Sequence, residues 1–397
     1  MSSIILSIVW IPVLGYLTFS VFYYVFLAIT YFVTEDKKET DYSPGRRYLL
    51  FIPAHNEEAV IGRILESVKR VKYNPKDFET YVIADNCTDR TAEIAGQLGA
   101  NVLVREDETK KSKGFAIEWA LKQVDLEAFD AVAIVDADSL INLNFFHGFD
   151  EVIEGGSNAI QANNWISNPD ETAFTRVLHL SRTINNELYH HAKQRLGLYS
   201  FLMGNGMCFT TKVIKNHPWT TDTMAEDFEY YATLVNSNER VGFAANSGIY
   251  LQESRGLRNA SRQRLRWSSG RFQIAKRHAL DLLIKGLKER NLKIVDASFP
   301  LILPNLSLLV NMTAIALAAA LVIHYFNAIP YIVLWLIFLV AMELAYFISG
   351  IHLAKMSVWT FLGAIGFAPL FLIWKGCIDV LGVFGTGTGQ WGKSGRS

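Results

Sequence analysis

Three groups of acidic and polar residues punctuate the first third of the chain. Pro53-Ala54-His55-Asn56-Glu57-Glu58 is the first, Asp85-Asn86-Cys87-Thr88-Asp89 the second and Asp136-Ala137-Asp138 the third. Residues at i and i+2 of a strand project to one face, so Asp136 and Asp138 are expected there as a pair of carboxylates. Such a pair suits Mg²⁺ or Mn²⁺, which commonly joins one or two carboxylates to phosphate oxygens. The metal would neutralise the charge that develops on a nucleoside diphosphate leaving group. Lys113, within Lys111-Ser112-Lys113-Gly114, supplies a cation for the same diphosphate. Taken singly, Asn56, Thr88 and Asp89 are equally well explained as helix caps, and Lys113 as a solvated lysine.

Further along, Thr223-Met224-Ala225-Glu226-Asp227 fits a capping box that starts a helix, with Thr223 and Glu226 as the reciprocal pair. That leaves Asp227 free to act as a general base on an acceptor hydroxyl. Gln263-Arg264-Leu265-Arg266-Trp267 combines arginine forks suited to phosphate with an indole face suited to a sugar ring. The region from Arg255 to Ile294 interleaves Lys and Arg with Leu, Ile and Phe, as a basic amphipathic helix on a membrane surface does.

The elements that position these groups are short apolar strands alternating with helices. Tyr48 to Ile52, Tyr81 to Ala84, Asn101 to Val104 and Ala131 to Val135 read as strands. Ile61, Ile64, Leu65 and Val68 recur at helical spacing, and Arg90 to Leu98 and Phe115 to Val124 read as further helices. The pattern predicts an α/β fold with a mostly parallel sheet covered by helices on both faces. Ligands bind such sheets beyond the carboxyl ends of the strands, where all three acidic groups fall.

The 397 residues carry equal numbers of acidic and basic side chains and are half hydrophobic. Zero net charge argues against a nucleic-acid partner. Cys87, Cys208 and Cys377 are too sparse for a disulfide framework or a metal cluster. Met1 to Thr34 holds no charge and has neither the basic start nor the cleavage site of a signal peptide, so it is expected to be a retained anchor. Phe299 to Ile323 and Tyr331 to Ser349 read as two further spanning helices, with Glu343 inside the second. Val358 to Trp374 is shorter and holds Gly363, Gly366 and Pro369, which favours a re-entrant or interfacial segment. Lys37, Lys38, Arg46 and Arg47 follow the anchor, and Lys355, Lys375, Lys393 and Arg396 lie near the other end. The positive-inside rule therefore places the middle of the chain and its C-terminus in the cytoplasm, with three crossings; the alternative is four crossings with the C-terminus outside. The expected order is an anchor at 1–34, a catalytic domain at 47–254, interfacial helices at 255–296, two spanning helices at 297–350, a re-entrant or interfacial segment at 357–384 and a terminal loop at 385–397.

The ordered motifs resemble those of the family-2 inverting glycosyltransferases with a GT-A fold. More narrowly, they resemble the membrane-integrated processive group of cellulose, chitin, hyaluronan and poly-N-acetylglucosamine synthases. The resemblance rests on the Pro53-Ala54-His55-Asn56-Glu57 opening, Asp85, Lys113, Asp136-Ala137-Asp138, Glu226-Asp227 and Gln263-x-x-Arg266-Trp267, although Ala84 stands where the family often has a second acid. It implies that Pro53, His55, Glu57, Asp85, Lys113, Asp136 and Arg266 bind a UDP-sugar. It implies too that Asp136 and Asp138 hold the metal, with Asp138 as principal ligand, and that Asp227 is the base. Gly204, Asn205, Gly206, Glu226, Gln263 and Trp267 would lie on the acceptor side. Trp391-Gly392-Lys393-Ser394-Gly395-Arg396 is similar to a gating loop that closes over nucleotide, through Trp391, Ser394 and Arg396.

The expected activity is metal-dependent, inverting hexosyl transfer from a UDP-sugar to the end of a growing β-linked polysaccharide, at the cytoplasmic face of a bacterial plasma membrane. Secretion or accessory subunits are possible partners, alongside membrane lipid and a glycan or lipid-linked acceptor. The alternative is one transfer to a polyprenyl-phosphate or glycerolipid acceptor with the same residues. A nucleotide-sugar sensor or accessory subunit is the non-enzymatic alternative, against which the intact acidic set argues.

Overall fold

The computed structural model describes residues 2–35, 45–220, 223, 225–254, 256–356 and 358–385. Its centre is an eight-stranded sheet of β1 (Tyr48–Ala54), β2 (Phe78–Asp85), β3 (Asn101–Arg105), β4 (Ala131–Ile134), β5 (Ser139–Ile141), β6 (Ala159–Ile166), β7 (Met207–Thr210) and β8 (Val241–Leu251). The order across the sheet is β3-β2-β1-β4-β7-β6-β8-β5. The β1–β2, β1–β4 and β2–β3 pairs are parallel, as expected; β6 and β8, which no strand reading of the sequence anticipated, also pair in parallel, whereas β7 and β5 run against their neighbours.

All seven residues of β1 are buried, because helices cover both faces of the sheet. Alternate side chains separate into two cores. Leu49 and Phe51 join Ile83, Val132 and Ile134 on one face. Tyr48, Leu50 and Ile52 join Ile61, Ile64 and Leu65 of the helix Ile61–Lys69 on the other. Full burial of each such Leu or Ile contributes roughly 1.5–3 kcal/mol.

The reversal of β7 matters for function. Because β7 is antiparallel to β4, the segment entering β7 lies at the edge where β4 ends, and Gly206 N donates to Ile134 O at 3.0 Å. The loop before β7 therefore joins the ends of β1, β2 and β4. Asp136 and Asp138 correct the expectation of a strand pair: β4 stops at Ile134, and both aspartates lie in the connection to β5, with Ala137 and Asp138 in a turn.

Among the described residues, four helical segments are long and apolar enough to cross a membrane: Trp10–Val33, Leu306–Asn327, Pro330–Ala354 and Gly366–Val383. Phe299, expected to open a spanning helix, belongs instead to the preceding helix Leu292–Ile302; the next begins after Asn305, whose side chain accepts from Leu308 N at 2.9 Å. The last apolar stretch does not end at Trp374 but forms one helix, Val358–Val383. Lys375 and Asp379 interrupt its apolar run in the sequence, but they pair with each other on consecutive turns.

The long helix Leu257–Lys288 packs between the sheet's helices and the apolar C-terminal ones. Its Arg271 donates to Pro300 O and Leu303 O, and its Ser268 donates to Asp379 Oδ1 at 2.9 Å. Tyr23 of the first helix donates to Asp296 Oδ1 at 2.6 Å, while Lys193 Nζ lies 2.8 Å from Asp296 Oδ2. That buried group ties the N-terminal helix, the sheet domain and the helix Leu292–Ile302 together.

Candidate active site

The first polar shell is built by two loops stitched to each other. Asn56 follows β1 with φ +56°, a conformation that Asn tolerates better than most residues. Its side-chain oxygen accepts from Thr88 N at 2.7 Å. Glu57 N donates to Thr91 Oγ1 at 2.8 Å, and Glu58 N to Asp89 Oδ2 at 3.2 Å. Asn56 and Asp89 thus lock the loops after β1 and β2 together, with Asp89 also accepting from Thr91 N at the start of the helix Thr91–Gln97.

Asp85, the last residue of β2, is fully buried. Its register partner on β3 is Arg105, whose guanidinium donates to Asp85 Oδ1 at 2.5 Å. The other carboxylate oxygen, Oδ2, is buried with no hydrogen-bond partner among the described residues. Burial raises the Asp85 pKa, opposed by the Arg105 hydrogen bond and charge. His55 Nδ1 lies 2.8 Å from Asp85 O. Pro53 is a buried part of β1, so its contribution is to the strand rather than to a polar contact. Arg105 escaped the sequence reading. Its position at the carboxyl end of a recognised strand was the signal that could have found it.

The second shell centres on Lys113, the first residue of the helix Lys113–Ala120, which Ser112 caps by accepting from Phe115 N at 3.2 Å. The ammonium of Lys113 bonds both the carboxylate of Asp136 and the carbonyl of Gly204. Burial disfavours its charge, but Asp136, Glu226 and Asp227 together hold its pKa above the ordinary value.

Asn205 braces the same loop. Its Oδ1 accepts from Asp136 N at 3.0 Å, and its Nδ2 donates to Ser139 Oγ at 2.8 Å. Gln161 clamps it from β6, donating to Asn205 O at 2.7 Å and accepting from Met203 N at 2.7 Å. Gly204 and Gly206 have φ of +75° and +71°, which glycine adopts without the penalty of a side chain. The Gly204-Asn205-Gly206 loop is therefore wired into the Lys113–Asp136 pair.

Glu226 and Asp227 open the helix Glu226–Asn236. The helix starts where expected, but the capping box is not formed. Thr223 Oγ1 donates to Glu229 Oε2 at 2.8 Å, and Ala225 occupies the cap position without a side-chain bond. Glu226 is thereby released to the site. Burial raises its pKa, opposed by the nearby charge of Lys113 and, more weakly, of Arg266. Asp227 is pushed up to about 7, by burial first and then by the charge of Glu226. Asp227 also accepts from Phe228 N at 2.8 Å.

Arg266 and Trp267 approach on the helix Leu257–Lys288. A Cβ at Gly270 would lie 2.7 Å from Ala225 Cβ, so this helix can rest on the start of the Glu226 helix only because residue 270 is glycine. Trp267 is 43% exposed. Arg264 of the same motif pairs with Glu253 at 3.2 Å and stands over the Trp267 ring, 5.7 Å from its centroid, so it is the other ring face that a ligand could meet. The structure thus gathers Lys113, Asp136, Gly204, Asn205, Glu226, Asp227 and Arg266 into one site, with Asp85 and His55 at the neighbouring strand ends. Glu57, Asp138 and Gln263 lie on the loops and helix that frame it. Trp391, Ser394 and Arg396 lie outside the described residues.

Among the described residues no group of three or more His, Cys, Asp or Glu side chains is arranged to hold a metal ion. Asp136 and Asp138 nevertheless fit a hard divalent ion: both are oxygen donors in one short turn, partly open to solvent, and phosphate oxygens commonly complete such a shell.

A model of the family described as "Glycosyltransferase like family 2" matches residues 44–270, more than half of the chain. Among curated proteins, a beta-monoglucosyldiacylglycerol synthase of Synechocystis sp. is 26% identical over 242 residues, 58% of this chain and 49% of that protein. The probable glycosyltransferase YdaM of Bacillus subtilis is 22% identical over 282 residues, 67% of this chain and 64% of that protein. The match thus spans about half the length of the first of these relatives and under two thirds of the second. Among solved structures, the mannosyltransferase PcManGT of Pyrobaculum calidifontis, in complex with GDP-Man and Mn²⁺, superposes with a TM-score of 0.56. It is 17% identical, and the overlay covers 93% of this chain and 98% of that one.

Proposed function

The chain belongs to glycosyltransferase-like family 2, and on that premise we propose that it transfers one hexose from a UDP-sugar to a hydroxyl of a glycerolipid at the membrane surface, inverting the anomeric centre. The observation that carries the reading is the cluster of Lys113, Asp136, Gly204 and Asp227. It sets a buried cation beside a carboxylate whose pKa of about 7 suits a general base at neutral pH.

Asp85 Oδ2, buried with no hydrogen-bond partner among the described residues, would accept from the imino N–H of a nucleobase. Lys113 and Arg266 are cations for the diphosphate, and Asp227 takes the proton of the acceptor hydroxyl. Asp136 and Asp138 would hold Mg²⁺ or Mn²⁺, which when bound neutralises charge on the departing nucleotide. Trp267 offers a platform for the acceptor, and its helix is bonded to the membrane bundle through Arg271 and Ser268. The synthases among the relatives bear names of glycolipid products, which supports the lipid acceptor.

The processive alternative keeps one supporting feature, the Gln263-x-x-Arg266-Trp267 motif. Purified protein in lipid nanodiscs, supplied with a panel of UDP-sugars and diacylglycerol, separates the two. A single monoglycosylated lipid is expected by mass spectrometry, with one nucleotide released per product. A ladder of polymer lengths would sink the single-transfer reading.

A further inference from the structure

The strands β6 and β8 run side by side, and one side chain clasps the chain just beyond their ends. Asn168, two residues past β6, accepts from Glu253 N at 2.9 Å and donates to Glu253 O at 2.9 Å. Both main-chain polar groups of Glu253 are thus held by one buried amide. The clasp fixes where the Glu253 side chain starts. That side chain is 5% exposed and stands between two arginines. Arg264, on the helix Leu257–Lys288, donates to Oε2 at 3.2 Å. Arg182, on the helix Ala173–Thr183, lies 3.6 Å from Oε1.

Arg264 hands this placement on to Trp267, over whose ring it stands. The two are three positions apart on one helix, so their side chains are neighbours. Arg264 Nε is buried without a hydrogen-bond partner among the described residues, which leaves the tie to Glu253 to decide where the guanidinium rests. A roll of the helix is opposed one turn earlier, where Trp374 Nε1 donates to Ser261 Oγ at 2.8 Å. A buried ion group adds little net stability over an apolar replacement of the same shape, so a staple between β8 and this helix did not need charge. What an apolar staple could not supply is a cation on a tryptophan face, an attraction that fixes the ring.

We infer that Glu253, set by Asn168, is a positioning residue that acts through Arg264. It holds the Trp267 indole in one orientation, with one face taken by the guanidinium and the other left for the acceptor. The inference rests on the proposed role of Trp267 as the acceptor platform. It assigns Asn168, Glu253 and Arg264 to acceptor binding and leaves the donor to the groups around Lys113 and Asp136.

The test uses the full chain in lipid nanodiscs, labelled with fluorotryptophan and read by fluorine NMR. The Trp267 resonance is the one that Trp267→Phe removes. Glu253→Gln keeps the shape of the side chain and removes its charge. Arg264→Lys keeps a charge for Glu253 and removes the planar group over the ring, so it carries the test should the first variant fail to fold. In both, the Trp267 resonance should shift or broaden while the other tryptophan resonances stay. With diacylglycerol as acceptor, KM for the lipid should rise several-fold. KM for the UDP-sugar, and its hydrolysis without acceptor, should stay within about twofold, the split expected when one substrate alone is mispositioned. In a Trp267→Ala background, Glu253→Gln should add nothing to the acceptor KM, because both act through one ring. An unmoved Trp267 resonance in both variants overturns the positioning. Equal rises in the two KM values, or effects that add in the Trp267→Ala background, make the ion group a general brace and overturn it too. A displaced resonance in a chain that turns over no UDP-sugar overturns the acceptor role and the functional reading beneath it, while the hold on the ring stands.

Discussion

Gly204 and Asp227 face each other so closely that a Cβ on Gly204 would sit 3.1 Å from Asp227 Oδ2. The residue whose carbonyl receives the Lys113 ammonium is thus also the wall against which the proposed base rests.

Gly204→Ala should therefore damage catalysis more than nucleotide binding. The positive φ costs an alanine about 1–2 kcal/mol, and the new methyl presses on Asp227. A kcat reduced by at least about tenfold is expected, with UDP affinity by calorimetry within about twofold, because about 1.4 kcal/mol corresponds to a factor of ten. Unchanged kcat would show that the contact is not felt in the reaction.

Asp227→Asn should lower kcat by about 10²–10⁴, the usual worth of a positioned base, while UDP still binds. In the wild type, kcat/KM should rise with pH through about 7 as Asp227 ionises. Stability should run the other way. The folded-state pKa of about 7 lies above that of an unfolded aspartate, about 3.9, so the native protein holds an extra proton between the two values, and stability falls as pH rises from about 4 to about 7 and is level above. The Asn variant should accordingly gain on wild type across that window, with the full advantage in melting temperature at about pH 8 and none near pH 3. Near-normal turnover in this variant would remove Asp227 from the base role.

Asp138→Ala should abolish the part of UDP binding that depends on Mn²⁺ or Mg²⁺. Titration calorimetry with and without the metal measures this directly, and identical isotherms for wild type and variant would place the metal elsewhere.

Arg105→Met should destabilise the protein by about 3–5 kcal/mol, because it leaves the buried Asp85 carboxylate without its cation. Adding Asp85→Leu should restore much of the melting temperature without restoring UDP affinity. If the double variant binds UDP as wild type does, Asp85 does not read the base.

Gln161→Leu tests the brace behind the site. The substitution removes the bonds to Met203 N and Asn205 O at nearly constant volume. It should raise KM for the UDP-sugar and lower kcat, with the folded state retained by circular dichroism. Kinetics equal to wild type would mean that the loop holds its shape without the clamp.

The first half of the sheet was legible because β1, β2 and β4 are short apolar runs followed by polar clusters, the composition of strands buried on both faces. The second half was not. β6 carries Gln161, Asn163 and Asn164, and β8 carries Asn246 and Ser247. Amides at such density resemble a loop, yet here Gln161 and Asn164 are buried because they bond the carbonyl of Asn205. The Thr223-x-x-Glu226 spacing misled for a related reason: a local capping pattern lost to a longer-range site in which Glu226 faces Lys113. The Lys113–Asp136 bond joins residues 23 positions apart, and no local pattern announces it.

Gly270 lies against Ala225, and the helix that carries it is anchored by Ser268 to Asp379 and by Arg271 to Pro300 and Leu303. The start of the helix that carries the proposed base thus rests on a helix whose own position is fixed by the apolar segments, so the two halves of the chain share one mechanical frame: a change at Asp379 or at the Pro300–Leu303 turn has a continuous path of contacts to Ala225, two residues before Asp227.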